Sequence, residues 1–223
     1  MSDASRTAQE RYPEVAAAPS DIQQHLPRLR KEAHGTVLEL GVRGGSSTVA
    51  LLAGLEERGG VLWSVDIDPA SAAIFADHAQ WRFVLADSRD ERPVVDAGLP
   101  SELDVLFIDT LHTYEQVRDE LAVWGDRVAP GGVILFHDTD SYPPIRRAIS
   151  EWCKSRSVPF EFRGGSNGLG VAYPGRGALF GLGTWIRRET HVIWFWAGFG
   201  LAWFVRLPRR VARRAKRMLV SHQ

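Results

Sequence analysis

The sequence predicts an α/β protein. It should be an open, doubly wound, mostly parallel sheet closed by a C-terminal antiparallel strand pair, with an aromatic and basic helical tail beyond it. Three observations lead there. Five short apolar runs alternate with helical patterns over residues 36–155. Each run is nearly continuous in apolar residues, as in strands covered by helices on both faces. Each run also ends at a carboxylate, and ligands of open α/β sheets bind outside the carboxyl ends of the strands.

The first run, Val37, Leu38 and Leu40 around Glu39, leads into Gly41-Val-Arg-Gly44-Gly45 and then Ser46, Ser47 and Thr48. That is a strand, a tight turn and a helix start. Glycine admits positive φ and close approach of a ligand, and the hydroxyl residues are candidate N-caps for a helix over 46–58. Such a turn presents backbone N–H groups to a nucleotide-like ligand. The second run, 61–65, ends at Asp66-Ile67-Asp68-Pro69. An acid some twenty-odd residues past the glycines suits a pair of ribose hydroxyls. The third run, 82–85, ends at Ala86-Asp87-Ser88, and the fourth, 103–108, at Asp109. The fifth, 132–136, ends at His137-Asp138. Glu39, Asp66, Asp87, Asp109 and Asp138 should therefore line one rim. Helical patterns fill 70–79, 90–98 and 114–127, and Pro143-Pro144 opens a further helix to Ser155, since proline is tolerated in the first helical turn. Residues 158–163 and 168–173 read as the terminal strand pair.

Before the first strand, residues 1–19 read as poorly ordered. Residues 20–32 read as a short capped helix whose His25 is a surface side chain, or else approaches the site. The organisation is then a leading segment (1–35), an α/β domain (36–175) and a tail (176–223).

Composition narrows the setting. Hydrophobic residues make up 44% of the 223, enough for a sizeable core. The single Cys153 excludes an internal disulfide and fits a reducing compartment. A polar N-terminus without an apolar core suggests cytoplasmic residence. The zero net charge conceals an asymmetry. Residues 206–223 carry seven Arg or Lys and no acid, which leaves residues 1–205 with 20 basic and 27 acidic side chains. Residues 192–205 are almost wholly apolar, and four of the eight tryptophans lie between 185 and 203. Fourteen apolar residues are too few to span a bilayer. An aromatic segment beside a polybasic one suits peripheral attachment, through residues 185–223, to the inner face of a membrane. Packing on the core or on a second copy is the competing reading. The acidic body argues against nucleic acid.

The ordered motifs resemble those of the class I S-adenosylmethionine-dependent methyltransferases, which share a Rossmann-like fold. The matching residues are Glu39-Leu-Gly41-Val-Arg-Gly44-Gly45, Asp66, Ala86-Asp87, the Asp109 strand and Pro130-Gly131-Gly132-Val-Ile-Leu. Phe107-Ile-Asp109-Thr-Leu-His112-Thr-Tyr114-Glu115 and Gly131-Gly-Val-Ile-Leu-Phe-His137-Asp138-Thr139 are most similar to a branch containing mycinamicin-type sugar O-methyltransferases and cephalosporin-hydroxylase-like proteins. The resemblance covers about residues 20–175. It implies S-adenosyl-L-methionine held by Glu39, Gly41, Gly44, Gly45, Ser46, Asp66, Asp87, Ser88 and Asp109. It also implies a divalent metal, Mg²⁺ or Mn²⁺, on Asp109 and Asp138, with His112 as general base. His137 stands where mycinamicin-type enzymes carry a glutamate ligand. As third ligand, imidazole would shift preference towards Mn²⁺, Fe²⁺ or Zn²⁺.

The expected activity is metal-assisted O-methylation of a hydroxyl on a sugar, glycolipid or natural product. The acceptor is a small molecule or a lipid-linked glycan, and the chain could form a homo-oligomer. The alternatives are an oxygenase-like relative sharing the carboxylates, and a non-catalytic cofactor-binding protein.

Overall fold

The computed structural model describes residues 6–176. The aromatic and basic tail read from the sequence, with its membrane and packing alternatives, lies outside the described residues. Among the described residues, no helix is long and apolar enough to cross a membrane.

Seven strands form one sheet: β1 (Gly35–Leu40), β2 (Gly60–Asp66), β3 (Trp81–Leu85), β4 (Leu103–Ile108), β5 (Val128–Phe136), β6 (Phe160–Arg163) and β7 (Leu169–Ala172). Their order is β3-β2-β1-β4-β5-β7-β6. Strands β1 to β5 are parallel, and β7 is antiparallel to both β5 and β6. The helices are α1 (Ala8–Ala17), α2 (Leu26–Glu32), α3 (Ser46–Arg58), α4 (Arg92–Asp96), α5 (Tyr114–Trp124) and α6 (Pro143–Ser155). Side chains alternate across each strand. Val37, Val105 and Phe107 therefore pack with α1, α2 and α3 on one face, while Leu38, Leu40, Leu106 and Ile108 pack with α5 and α6 on the other. Cys153 is buried in the second layer. Burial pushes its thiol up to about 12, so it is inert packing.

Several local expectations are corrected. Residues 8–17 are helical. Thr7 and Glu10 form a capping box, and the first N–H groups of α1, at Ala8 and Gln9, donate to the Glu56 carboxylate at 2.8 Å each. A contact from across the chain thus stabilises a segment whose local signal is weak. The pattern over 70–79 yields only a 3₁₀ turn at Pro69–Ala73. The hydroxyls after the glycine turn do not cap α3. Its N-cap is Gly45, at φ 78°, with no side-chain cap. Strand β5 begins at Val128, with a register shift against β4 between Leu103 and Val105.

The strand order reverses between β1 and β4, which opens a crevice between their carboxyl ends. Gly41 leaves β1 at φ 89°, and a Cβ there would collide with the carbonyl of Asp109. We expect Gly41→Ala to lower unfolding stability by about 2 kcal/mol or more, from positive-φ strain plus backbone displacement. Urea denaturation measures this; a loss below the ordinary surface range would mean that the two strand ends can part freely.

Candidate functional site

Four of the five strand-end acids do lie at the rim: Asp66, Asp87, Asp109 and Asp138. Glu39 does not. It is the penultimate residue of β1, fully buried, in register with Ser64 of β2 and Phe107 of β4. Its Oε1 accepts from the Ser47 hydroxyl at 2.6 Å, and its Oε2 from Thr48 at 2.9 Å and Ser64 at 2.6 Å. Trp81 Nε1 in turn donates to Ser64 Oγ at 2.8 Å. This explains why Ser47 and Thr48 do not cap the helix: a buried carboxylate claims their hydroxyls. One side chain thereby fixes β1, β2 and the first turn of α3. Burial pushes the Glu39 carboxyl up to about 7, against the three hydroxyls.

Asp66 ends β2 beneath the glycine turn. Its Oδ2 accepts from the backbone N–H groups of Val42 at 2.8 Å and Arg43 at 3.0 Å, and its Oδ1 from Asp68 at 2.9 Å. Burial opposes its charge, but these backbone donors outweigh it and lower its pKa. Asp66 thus shapes the turn while remaining at the crevice mouth. Next to it, Ile67 is 77% exposed, a large apolar side chain facing water at the end of β2. Sequence reading missed it, although its position between two aspartates at a strand end is the available signal. Gly44 has open space around it, and Ser46 begins α3. Asp87 is paired with Arg89, whose hydrogen bonds hold its carboxyl down to about 2.

Ser88 points inward and donates to Glu120 Oε1 at 2.5 Å. Thr110 at 2.7 Å and Gln116 at 2.8 Å donate to the same oxygen. Glu120 therefore joins the ends of β3 and β4 to α5, with its Oε2 buried and unpartnered. Burial raises its pKa despite these donors. The available signal was a polar pair at i and i+4 among Val117, Leu121 and Trp124 on the buried side of α5.

The remaining residues meet past β4 and β5. His112 Nε2 lies 2.7 Å from Asp138 Oδ2 and 3.6 Å from Asp109 Oδ1. His137 Nδ1 lies 3.3 Å from Asp109 Oδ1 and 3.4 Å from Asp138 Oδ2. Nitrogen and oxygen alternate around this quartet. Asp109, His137 and Asp138 each offer a ligand atom within 4.8 Å of the others. Asp138 holds a left-handed backbone at φ 60°, strain that persists where the surroundings over-determine it. Its Oδ1 is buried without a hydrogen-bond partner, and His112 Nε2 has no aligned one despite its short contact. The grouped ligand atoms of Asp109, His137 and Asp138, with these two unpartnered atoms on the same residues and beside them, fit a cation.

The electrostatics agree. The Asp109 and Asp138 carboxylates raise His112 to about 9. Burial resists charge on His137, but the same two carboxylates outweigh it and bring His137 to about 10. Burial likewise resists charge on Asp109 and Asp138, and the two imidazoles hold both below the usual carboxylate range. Tyr142 stacks on His112, with ring centroids 4.3 Å apart and an interplanar angle of 24°. Tyr142 and Leu111 are exposed beside this cluster.

His25 is neither a surface histidine nor a member of the quartet. It is buried, with Nε2 2.5 Å from the Gly165 carbonyl and its ring edge-on to His137 at 6.1 Å. A separate cleft of about 550 Å³ is lined by residues near β3, including His78, Arg82 and Phe83, and contains none of the strand-end acids on β4 or β5.

Glu39 gives a pH-dependent expectation. Its folded pKa is raised from 4.5 to about 7. Between those values the folded state holds a proton that the unfolded state has released. Its contribution is therefore full below about pH 4.5 and falls away as pH rises through 7, by about 3 kcal/mol in total. Glu39→Gln should remove that slope from unfolding curves measured from pH 4.5 to 7.5; parallel curves for the two proteins would mean that Glu39 is ionised when folded.

The comparisons with known proteins agree with this architecture. A family model described as a methyltransferase domain matches residues 38–139. The O-methyltransferase NovP superposes with a TM-score of 0.53 at 17% identity, covering 69% of this chain and 81% of its own. The TDP-rhamnose 3'-O-methyltransferase CalS11, from calicheamicin biosynthesis, gives 0.54 at 16% identity, covering 76% and 94%. MycE, in complex with Mg, SAH and mycinamycin VI, gives 0.55 at 16% identity, covering 78% and 56%. At these identities the likeness is one of fold. Uncharacterized protein R132 of Acanthamoeba polyphaga mimivirus is 29% identical over 77 residues, 31% of this chain. The chain matches about a third of the length of that curated relative, 34%. Strand order, glycine turn and family match agree: residues 38–139 match a methyltransferase domain, and the chain is similar in fold to the methyltransferases NovP and MycE.

Proposed function

We propose that this protein is an S-adenosylmethionine-dependent O-methyltransferase that uses a divalent metal to methylate a hydroxyl of a sugar, glycolipid or natural product. The observation that carries this reading is the His112–Asp138–His137–Asp109 quartet beside the glycine turn, at the crevice where strand order reverses.

The two ends of the crevice have separate tasks. Asp66, already oriented by three backbone N–H groups, offers its carboxylate to ribose hydroxyls. Ile67 offers an apolar surface to the adenine, and Asp87 lies at the next strand end. Gly44, with open space beside it, leaves the backbone accessible to the amino-acid part of the cofactor, while Gly41 and Gly45 let the turn pack against Asp109 and Ile74. Glu39 supports this turn from beneath and is not a direct contact.

At the other end, an alcohol must lose its proton for its oxygen to attack a sulfonium methyl, and its own pKa is far above neutral. A divalent cation on Asp109, Asp138 and His137 would lower that pKa and offset the charge of the carboxylates. His112 then accepts the hydroxyl proton at Nε2. Without that offset the carboxylates keep His112 protonated, so its basicity and cation binding are linked. Tyr142 fixes the His112 ring by stacking. Together with Leu111, it offers the flat, partly apolar surface that a sugar face can cover. The rate gain comes from holding oxygen, methyl and base in line. The aromatic and polybasic composition of residues 185–223 supports a lipid-linked acceptor at an anionic surface.

Mass spectrometry of extracts from cells with and without this protein tests the reading through a methylene increment on a glycan, glycolipid or small hydroxylated metabolite. Asp66→Ala should weaken S-adenosylhomocysteine binding about 10–100-fold by calorimetry, the loss of a charged hydrogen-bonding partner. His112→Ala should abolish turnover of the identified acceptor while leaving that binding near wild type. Absence of S-adenosylhomocysteine binding by the wild-type protein would sink the assignment.

A further inference from the structure

We propose that the quartet selects a first-row transition ion, in the series Mn²⁺ to Zn²⁺, over Mg²⁺, because His137 is locked with a nitrogen donor facing Asp109 and Asp138. This rests on the metal-assisted reading above and names the class of ion.

The lock is on the far side of the ring. His137 Nε2 lies 3.1 Å from the Asp21 carbonyl and 3.0 Å from the Ser166 carbonyl. Carbonyl oxygens only accept, so Nε2 carries the hydrogen and donates. In the neutral ring, Nδ1 is then the atom with the free lone pair. That atom is the one 3.3 and 3.4 Å from the two carboxylates. Such spacings suit ligand atoms sharing one ion at about 2.0–2.2 Å. A ligating imidazole whose other N–H is held by a backbone carbonyl has its tautomer and orientation fixed.

The two carbonyls are themselves held. Gln24 N donates to Ser166 Oγ at 3.1 Å, and His25 Nε2 meets the Gly165 carbonyl at 2.5 Å. Arg43 reaches Asp21 at 3.3 Å. Residues 21–25 and the loop between β6 and β7 thus brace one face of the ring, which is buried. The ring cannot turn Nδ1 away without breaking these contacts. Mg²⁺ prefers oxygen ligands and retains several waters. An imposed imidazole nitrogen favours later first-row ions, in an order rising from Mn²⁺ through Fe²⁺ and Co²⁺.

Full-length protein, stripped with chelator and dialysed, would be titrated by calorimetry with Mn²⁺, Co²⁺ and Mg²⁺. Mn²⁺ should bind at least ~10-fold tighter than Mg²⁺, with Co²⁺ tighter again. Pulsed electron paramagnetic resonance of the Mn²⁺-loaded protein should show nitrogen modulation from a coordinated imidazole. That modulation should vanish in His137→Glu and persist in His112→Ala. His137→Glu should also bring the Mn²⁺ to Mg²⁺ affinity ratio down towards one. Melting in chelator reports whether each variant is folded, and His137→Gln repeats the spectroscopic test should the buried glutamate not be tolerated. Equal or tighter Mg²⁺ binding by the wild type, or nitrogen modulation unchanged in the His137 variants, overturns the proposed selectivity and leaves metal assistance standing. Binding of none of the three ions overturns both.

Discussion

The close approach of β1 and β4 at the point of strand reversal is the constraint on which the rest depends. Asp109 N donates to the Leu40 carbonyl at 2.9 Å across that pair, while Gly41 N ties the other side of the turn to the Val65 carbonyl of β2 at 2.9 Å. Gly41 leaves no room for a Cβ against Asp109. These few backbone contacts bring the glycine turn beside the acidic end of β4. The half of the crevice at the glycine turn and the half at Asp109 are consequently contiguous. A side chain at position 41 would separate them.

Two buried carboxylates hold the halves from below. Glu39 gathers Ser47, Thr48 and Ser64 under the glycine turn. Glu120 gathers Ser88, Thr110 and Gln116 under the ends of β3 and β4. Each takes hydroxyl donors from different elements, and burial raises the pKa of each. Low dielectric strengthens such networks when they are satisfied and makes them costly when they are not. These acids fix positions inside the fold, whereas Asp66, Asp87, Asp109 and Asp138 stand at the carboxyl ends of the strands.

The histidines divide in a similar way. His112 sits beneath an exposed tyrosine, near solvent. His137 is enclosed, with its second nitrogen committed to two carbonyls. His25 is enclosed too, but faces the loop after β6. One residue type thus stands in three different environments, and surroundings alone set the difference.

The sequence by itself determined the parallel core. Continuous apolar runs, a glycine turn and acids at the run ends are local patterns, and secondary structure follows such patterns through periodicity and backbone freedom. The limits of α3 at 46–58, the start of α6 at Pro143 and the meeting of Asp109 with Asp138 were legible for that reason. The tertiary structure decided which acid faces the crevice. Glu39 and Asp66 look alike in sequence, yet one lies inside a strand beside three hydroxyls and the other accepts from backbone N–H groups of the glycine turn. It also decided the helix at residues 8–17, held by Glu56, and the inward turn of Ser88. The orientation of His137 depends on carbonyls 116 and 29 residues away. Contacts between residues so far apart in the chain leave no mark on local periodicity, so only the folded packing could assign them.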